Sequence, residues 1–244
     1  MIRDPTHTLA LRALYARQLR GLFRRFIKSY LEALSSYMEM IAKRNTMQGI
    51  MLSIDDAMQG IDNHLDAEVN SKAPAIINKN TENAYKGGLR NASRQLKRYG
   101  LLIGINPMPR DIEAMGILKA NSLSLVKALG TDAKKDIIRI ISEGYMNGWG
   151  IPQMSREIRG KVGTMTRYRA DMIARTETIR AYNEAARNTY KKAGVKKYIW
   201  VAAYGERTCP ECADRDGNIY DMDDSPPPLH PNCRCSISPV IEWD

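Results

Sequence analysis

The chain has 244 residues, 43% hydrophobic and 26% charged, with a formal net charge of +10; this is the balance of a soluble globular protein. No apolar run approaches the roughly 20 residues that span a bilayer, and the opening MIRDPTHTLALRALYARQLR is broken by charge every few residues, so neither a signal peptide nor a membrane partner is expected. The charge is uneven: residues 205–244 hold nine acids against three Lys/Arg, while residues 1–204 hold 34 Lys/Arg against 18 acids, and a basic body of this kind suits nucleic acid or an acidic protein surface.

Residues 8–46 predict one long helix, with Tyr15, Leu19, Leu22, Phe23, Phe26, Ile27, Tyr30, Leu31, Leu34 and Ile41 recurring at three- and four-residue steps. Such a stripe packs in a bundle or meets a partner. The later helices look polar and glycine-interrupted, so the stripe is expected to stay exposed or to drive self-association. A second helix is expected at about 54–71, with Asp55 and Asp56 in its first turn. A third runs from Pro74 to about Tyr99, weakened by Gly87 and Gly88. The stretch YGLLIGINPMPRD (99–111) carries two Gly and two Pro without helical period and reads as a linker.

Four shorter helical patterns follow at about 110–129, 132–146, 152–160 and 165–193, with Gly130, Gly148–Gly150 and Gly160–Gly163 as expected breaks and Gly194 as a C-terminal stop. The period then changes. KKYIWVAAY (196–204) predicts a strand, Asp216–Gly217 a hairpin turn, and CSISPVIEW (235–243) a closing strand. The fold class expected is mainly α: a helical N-terminal region at 1–110, then a helical plus small β module at 111–244.

All four cysteines lie within residues 209–235, together with His230. Cys209 and Cys212 are two residues apart, as are His230 and Cys233, and seventeen residues separate the pairs. Two such short pairs joined by a hairpin-length segment can surround a tetrahedral Zn²⁺. Disulfides are the poorer reading in a reducing compartment. The preferred ligands are Cys209, Cys212, His230 and Cys233, with Cys235 as an alternative ligand or a buried apolar thiol.

A structural metal is expected, because four protein ligands leave no position for water. The His-x-Glu partner of zinc deaminases is missing, and no His-Glu-x-x-His helix exists. Arg175-Thr176-Glu177 has transferase-like residue types, but neighbours at i and i+2 on a helix do not share a face. No enzyme is expected.

The order of ARTETIRAYNEAARNTYKKAG (174–194), a Trp-bearing strand at Trp200, ERTCPEC (206–212), DGNIY (216–220) and PPPLHPNCRC (226–235) resembles the phage Mu F-like minor head proteins, also called phage head morphogenesis proteins. The similarity covers roughly 115–244 and includes GYMNGWGIPQMSREI (144–158). The resemblance implies a minor capsid component of a tailed phage or prophage. It would act in procapsid assembly near the portal vertex, with the portal protein and major capsid or scaffold proteins as partners. It would be found in the virion, and in the host cytoplasm during assembly. Non-specific contact with double-stranded DNA is also implied, and Lys161, Arg167, Arg169, Arg175 and Arg180 are the candidate phosphate contacts. Two other classes stay open: an enzyme with a transferase or toxin-like domain, and a zinc-dependent nucleic-acid-binding protein.

Overall fold

The computed structural model describes residues 4–43, 47–203, 205 and 208–241. It is mainly helical, with a small sheet toward the C-terminal side. Helix α1 spans Leu9–Ala42, α2 Met47–Leu65, α3 Ala73–Lys97 and α4 Pro109–Met146. Then come α5 at Ile151–Glu157, α6 at Gly163–Lys192, strand β1 at Lys197–Val201, α7 at Pro210–Asp214, β2 at Ile219–Asp221 and β3 at Ser236–Val240. Positions 44–46, 204 and 242–243, which the expected first helix and two strands included, lie outside the described residues.

Two expected breaks, at Gly130 and at Gly160–Gly163, are absent. Helix α4 runs straight through Gly130, where an added Cβ would lie 3.1 Å from Leu65 Cδ1. That glycine is a place of close approach, not a stop. Residues Ile158–Val162 form a π-helical turn that carries α5 directly into α6 across Gly160. A second π-helical turn, Asp66–Asn70, extends α2. The Gly87–Gly88 pair does not interrupt α3: a Cβ at Gly88 would stand 2.2 Å from the Tyr182 carbonyl oxygen, so α3 and α6 touch there.

The chain divides into two compact units that differ from a boundary at residues 110 and 111. Unit 1 comprises residues 1–16, 76–122 and 172–244, and unit 2 comprises 17–75 and 123–171. The division falls inside α1, α3, α4 and α6.

In unit 2 the apolar stripe of α1 is buried, contrary to the expectation that it stays exposed. Phe23 is 1% and Phe26 and Tyr30 are 0% exposed. Tyr30 stacks on Tyr37 and meets the His64 ring edge-on, and Gly60 lets α2 come close beneath Tyr37. Ion pairs at the margin, Arg25 with Glu68 and Lys134 with Asp62, bind its helices further.

In unit 1 the three strands form an antiparallel sheet in the order β2-β1-β3. Tyr198 pairs with Tyr220 on one side and Pro239 on the other, and Trp200 pairs with Ile237. Their period-2 alternation turns Tyr198 and Trp200 inward, where they meet Leu96 of α3, Ala186 and Tyr190 of α6, and Cys212, Cys233 and Cys235. The cysteines thus sit at the edge of a hydrophobic core. Arg215 lies over the Trp200 ring, 5.5 Å from its centroid.

Candidate metal centre

Each donor is aimed by local backbone geometry. Cys209 is the N-cap of α7, its sulfur accepting from the Cys212 amide at 3.4 Å, and Pro210 opens the helix. The two thiols are one helical turn apart and so share a face. On the other arm, Asn232 adopts φ 67°, the left-handed region that asparagine tolerates, and the Cys233 amide donates to the His230 carbonyl at 3.2 Å. This tight turn brings His230 and Cys233 to one side.

The His230 ring is oriented. Its Nδ1 donates to the Pro231 carbonyl at 2.8 Å, which leaves the Nε2 lone pair free to bind a metal. That Nε2 faces Cys209 Sγ at 3.1 Å and Cys212 Sγ at 3.2 Å. Cys212 Sγ lies 3.8 Å from Cys233 Sγ. With Zn–S near 2.3 Å, the S···S edge of a zinc tetrahedron is about 3.8 Å and the N···S edge about 3.5 Å. A disulfide would need about 2.0 Å.

The donor atoms fall into two groups whose members lie within 4.8 Å of one another: Cys209, Cys212 and His230, and Cys212, Cys233 and Cys235. Cys212 belongs to both. The cluster can hold a metal ion, and a donor set of thiolates with one imidazole is of the type that suits zinc. Cys235, read from spacing as the alternative, stands beside Cys233.

The electrostatics are those of crowded thiols. The hydrogen bond from Cys235 is the main cause that holds Cys233 down to about 5, and the same bond pushes Cys235 up. Burial pushes Cys212 up to about 12. Burial also raises Cys209, but hydrogen bonds from the Cys212 amide and thiol outweigh it and leave that thiol lowered. Cys233 and Cys209 are thus favoured as thiolates while Cys212 and Cys235 resist ionising beside them, and a divalent cation among the four relieves that repulsion.

Helix α6 holds the ligand loop in place, a relation that spacing did not reveal. Arg175 Nη1 donates to Asn232 Oδ1 at 2.9 Å, and the Asn232 amide donates to Thr176 Oγ1 at 3.0 Å. Asn183, fully buried, donates to the carbonyls of Pro227 at 3.1 Å and Cys235 at 3.0 Å and accepts from Ser236 Oγ at 3.1 Å. The one sequence signal was the set of polar residues, such as Thr176 and Asn183, that fall on the buried face of α6.

The five candidate phosphate contacts are not brought together. Arg175 is spent on Asn232, and Arg180 pairs with the buried Glu177 at 3.3 Å; both lie in unit 1. In unit 2, Lys161 pairs with Glu157 at 3.5 Å and Arg169 with Asp132. Arg167 alone among them is exposed without an acidic partner among the described residues.

The fold and site define a mainly helical protein with a small sheet module closed by a Cys/His cluster able to hold a metal ion. Residues 135–238 match the family described as Phage Mu protein F like protein, a segment that contains all five candidate donors. The resemblance to phage Mu F-like proteins is therefore borne out over that segment. An uncharacterized protein of Haemophilus influenzae is 26% identical over 139 residues, 55% of this chain and 31% of the relative, so the match spans about a third of that relative's length. No solved structure matches. Among the described residues, no helix is long and apolar enough to cross a membrane.

Proposed function

We propose that the protein is a minor head protein of a tailed bacteriophage or prophage, acting in head morphogenesis at the portal vertex and retained in the virion. The observation that supports this reading best is the family match over 135–238, which encloses the whole Cys/His cluster. The portal protein and the major capsid or scaffold proteins are the proposed partners, met in the host cytoplasm during assembly. Non-specific contact with double-stranded DNA inside the head belongs to the same reading, and the basic body over residues 1–204 supports it.

The role is structural. Cys209, Cys212, His230 and Cys233 would hold one zinc ion, which would fix the sheet module to α6; Cys235 is the alternative ligand. Glu177 is buried and engaged by Ser122 and Arg180, so the Arg175-Thr176-Glu177 run presents no carboxylate to a substrate. The direct test is mass spectrometry of purified DNA-free proheads and filled heads from cells producing a tagged chain. Low-copy presence in both is expected. Absence from both, with the protein free in the lysate, overturns the assignment.

A further inference from the structure

Unit 2 carries a groove of about 750 Å³ between one face of α1 and the start of α6 with the π-helical turn before it. Arg17, Arg20, Arg24 and Lys28 line one wall, and Arg159 and Arg167 the other. No acid lines it among the described residues. Arg20 leans on Asp171 at 3.1 Å, and Lys28 reaches Glu32 at 3.6 Å in an exposed pair, one that contributes little. Arg17, Arg24, Arg159 and Arg167 are exposed and have no acidic partner among the described residues. Cations on both walls repel one another, and a polyanion between them relieves that repulsion.

We propose that this groove, which contains only Arg167 of the five positions read from sequence, binds the phosphate backbone of a nucleic acid and is the protein's polyanion site. The inference rests on the DNA contact in the functional reading above and gives it a location. Three features favour phosphates over an acidic protein segment. Five of the six cations are arginines, whose planar fork pairs with phosphate oxygens. The α1 wall from position 17 to 31 extends about 21 Å at 1.5 Å per residue, a length that several successive phosphates can follow. The aliphatic residues of the floor, Ile27 and Leu31, are only 6% and 8% exposed, so an amphipathic acidic helix would find no exposed large aliphatic side chain there to pack its anchors against. Gly21 and Gly163 on the two walls keep the floor open for close approach of a backbone.

The test uses the full chain and a fluorescent random-sequence duplex of about 20 base pairs, titrated over a range of salt. Because log K falls with log salt by about 0.9 per neutralised phosphate, replacing Arg17, Arg24, Arg159 and Arg167 with Gln should flatten the slope by roughly 3 to 4 and weaken binding at least tenfold. An equal-charge control, Lys79→Gln, Arg90→Gln, Lys97→Gln and Arg98→Gln on unit 1, should keep a slope near that of the wild type. If the Gln variant loses its circular-dichroism signal, the Arg→Lys set at the same four positions replaces it; this set should keep the slope while binding more weakly. Equal losses in groove and control variants, or an unchanged groove variant, overturn the groove but leave the DNA reading standing. A wild-type chain that binds no duplex overturns both. Displacement of the duplex by polyglutamate at equal charge concentration overturns the choice of phosphate.

Discussion

The backbone amide of Asn232 donates to the Thr176 hydroxyl at 3.0 Å, so the turn that aims His230 and Cys233 hangs on helix α6. Thr176 also donates to the Met172 carbonyl at 2.8 Å, which fixes its rotamer. Thr176→Val keeps the shape and removes the acceptor. An amide left unpartnered in this part-buried site costs about 1–3 kcal/mol, and loss of an outer partner of a metal ligand typically costs 10–100-fold in affinity. A lowered melting temperature and easier stripping by a chelator are expected; unchanged values for both would show that the clamp is idle.

The second prediction concerns the donors themselves. Cys212 belongs to both sets of three, so Cys212→Ser should abolish stoichiometric metal whichever fourth ligand is used. Structural zinc in small modules contributes on the order of 10–16 kcal/mol of apparent binding free energy at neutral pH, so the sheet module should unfold with it. Cys235→Ser leaves metal content unchanged on the preferred ligand set and lowers it on the alternative. Protons compete with the metal for each thiolate, so lowering the pH should release it. Elemental analysis of fresh protein reads all three, and a wild-type chain without stoichiometric metal sinks the proposal.

Close approach of α3 and α6 supplies the third. At Gly88→Ala the new Cβ would stand 2.2 Å from the Tyr182 carbonyl oxygen and 2.8 Å from the Ala185 Cβ, and neither can swing aside as a flexible side chain would. Overpacking of this kind costs about 1–3 kcal/mol, more than the helix propensity Ala gains over Gly, about 1 kcal/mol. A net fall in thermal stability is expected. A rise in melting temperature would mean that the two helices part without penalty.

Glu68 offers a test with pH. A hydrogen bond from Lys72 is the main cause that holds its carboxyl below the ordinary carboxylate range, against a small opposing effect of burial and with further help from Arg25. Because the folded pKa is depressed, the contribution is fully present above the unfolded pKa, near 4.3. It is lost as the pH falls through the lower folded value. Glu68→Gln should cost about 0.2–1 kcal/mol at pH 7 and nothing once the wild-type carboxyl is protonated. Chemical denaturation at pH 7 and in strong acid measures the difference, and an equal cost at both values would refute the ion-pair account.

Much of the architecture was legible in the sequence. The three- and four-residue steps of α1 and the strand at Trp200 are local signals that tertiary packing did not override, whereas the turn at Gly217, with its φ of 78°, joins α7 to β2 and is not the expected hairpin between strands. The paired two-residue spacings pointed to Cys209, Cys212, His230 and Cys233, and the structure sets Cys235 beside them. Gly130 misled because a glycine that stops a helix and one that admits a neighbour such as Leu65 look alike until the neighbour is known. The clamp by Thr176 and Asn183 links positions more than forty residues apart, and the period of α6 does not reveal it. Two of the candidate phosphate contacts have acidic partners that the sequence could have shown: Lys161 follows Glu157 by four residues and Arg180 follows Glu177 by three, the spacings at which helical charges pair off. The groove escaped notice because its walls are more than a hundred residues apart in the chain.

The interleaving of the two units has a consequence for synthesis. Every segment of unit 2 has left the ribosome once residue 171 emerges, whereas unit 1 still lacks the stretch from 172 to 241. At about 5–20 residues per second that is a wait of roughly 4–14 s. Through that interval α3 and the first part of α4 have no α6 or sheet to cover Tyr85, Leu89 and Leu96. The basic groove unit closes first, and the cysteine cluster is the latch that is thrown last.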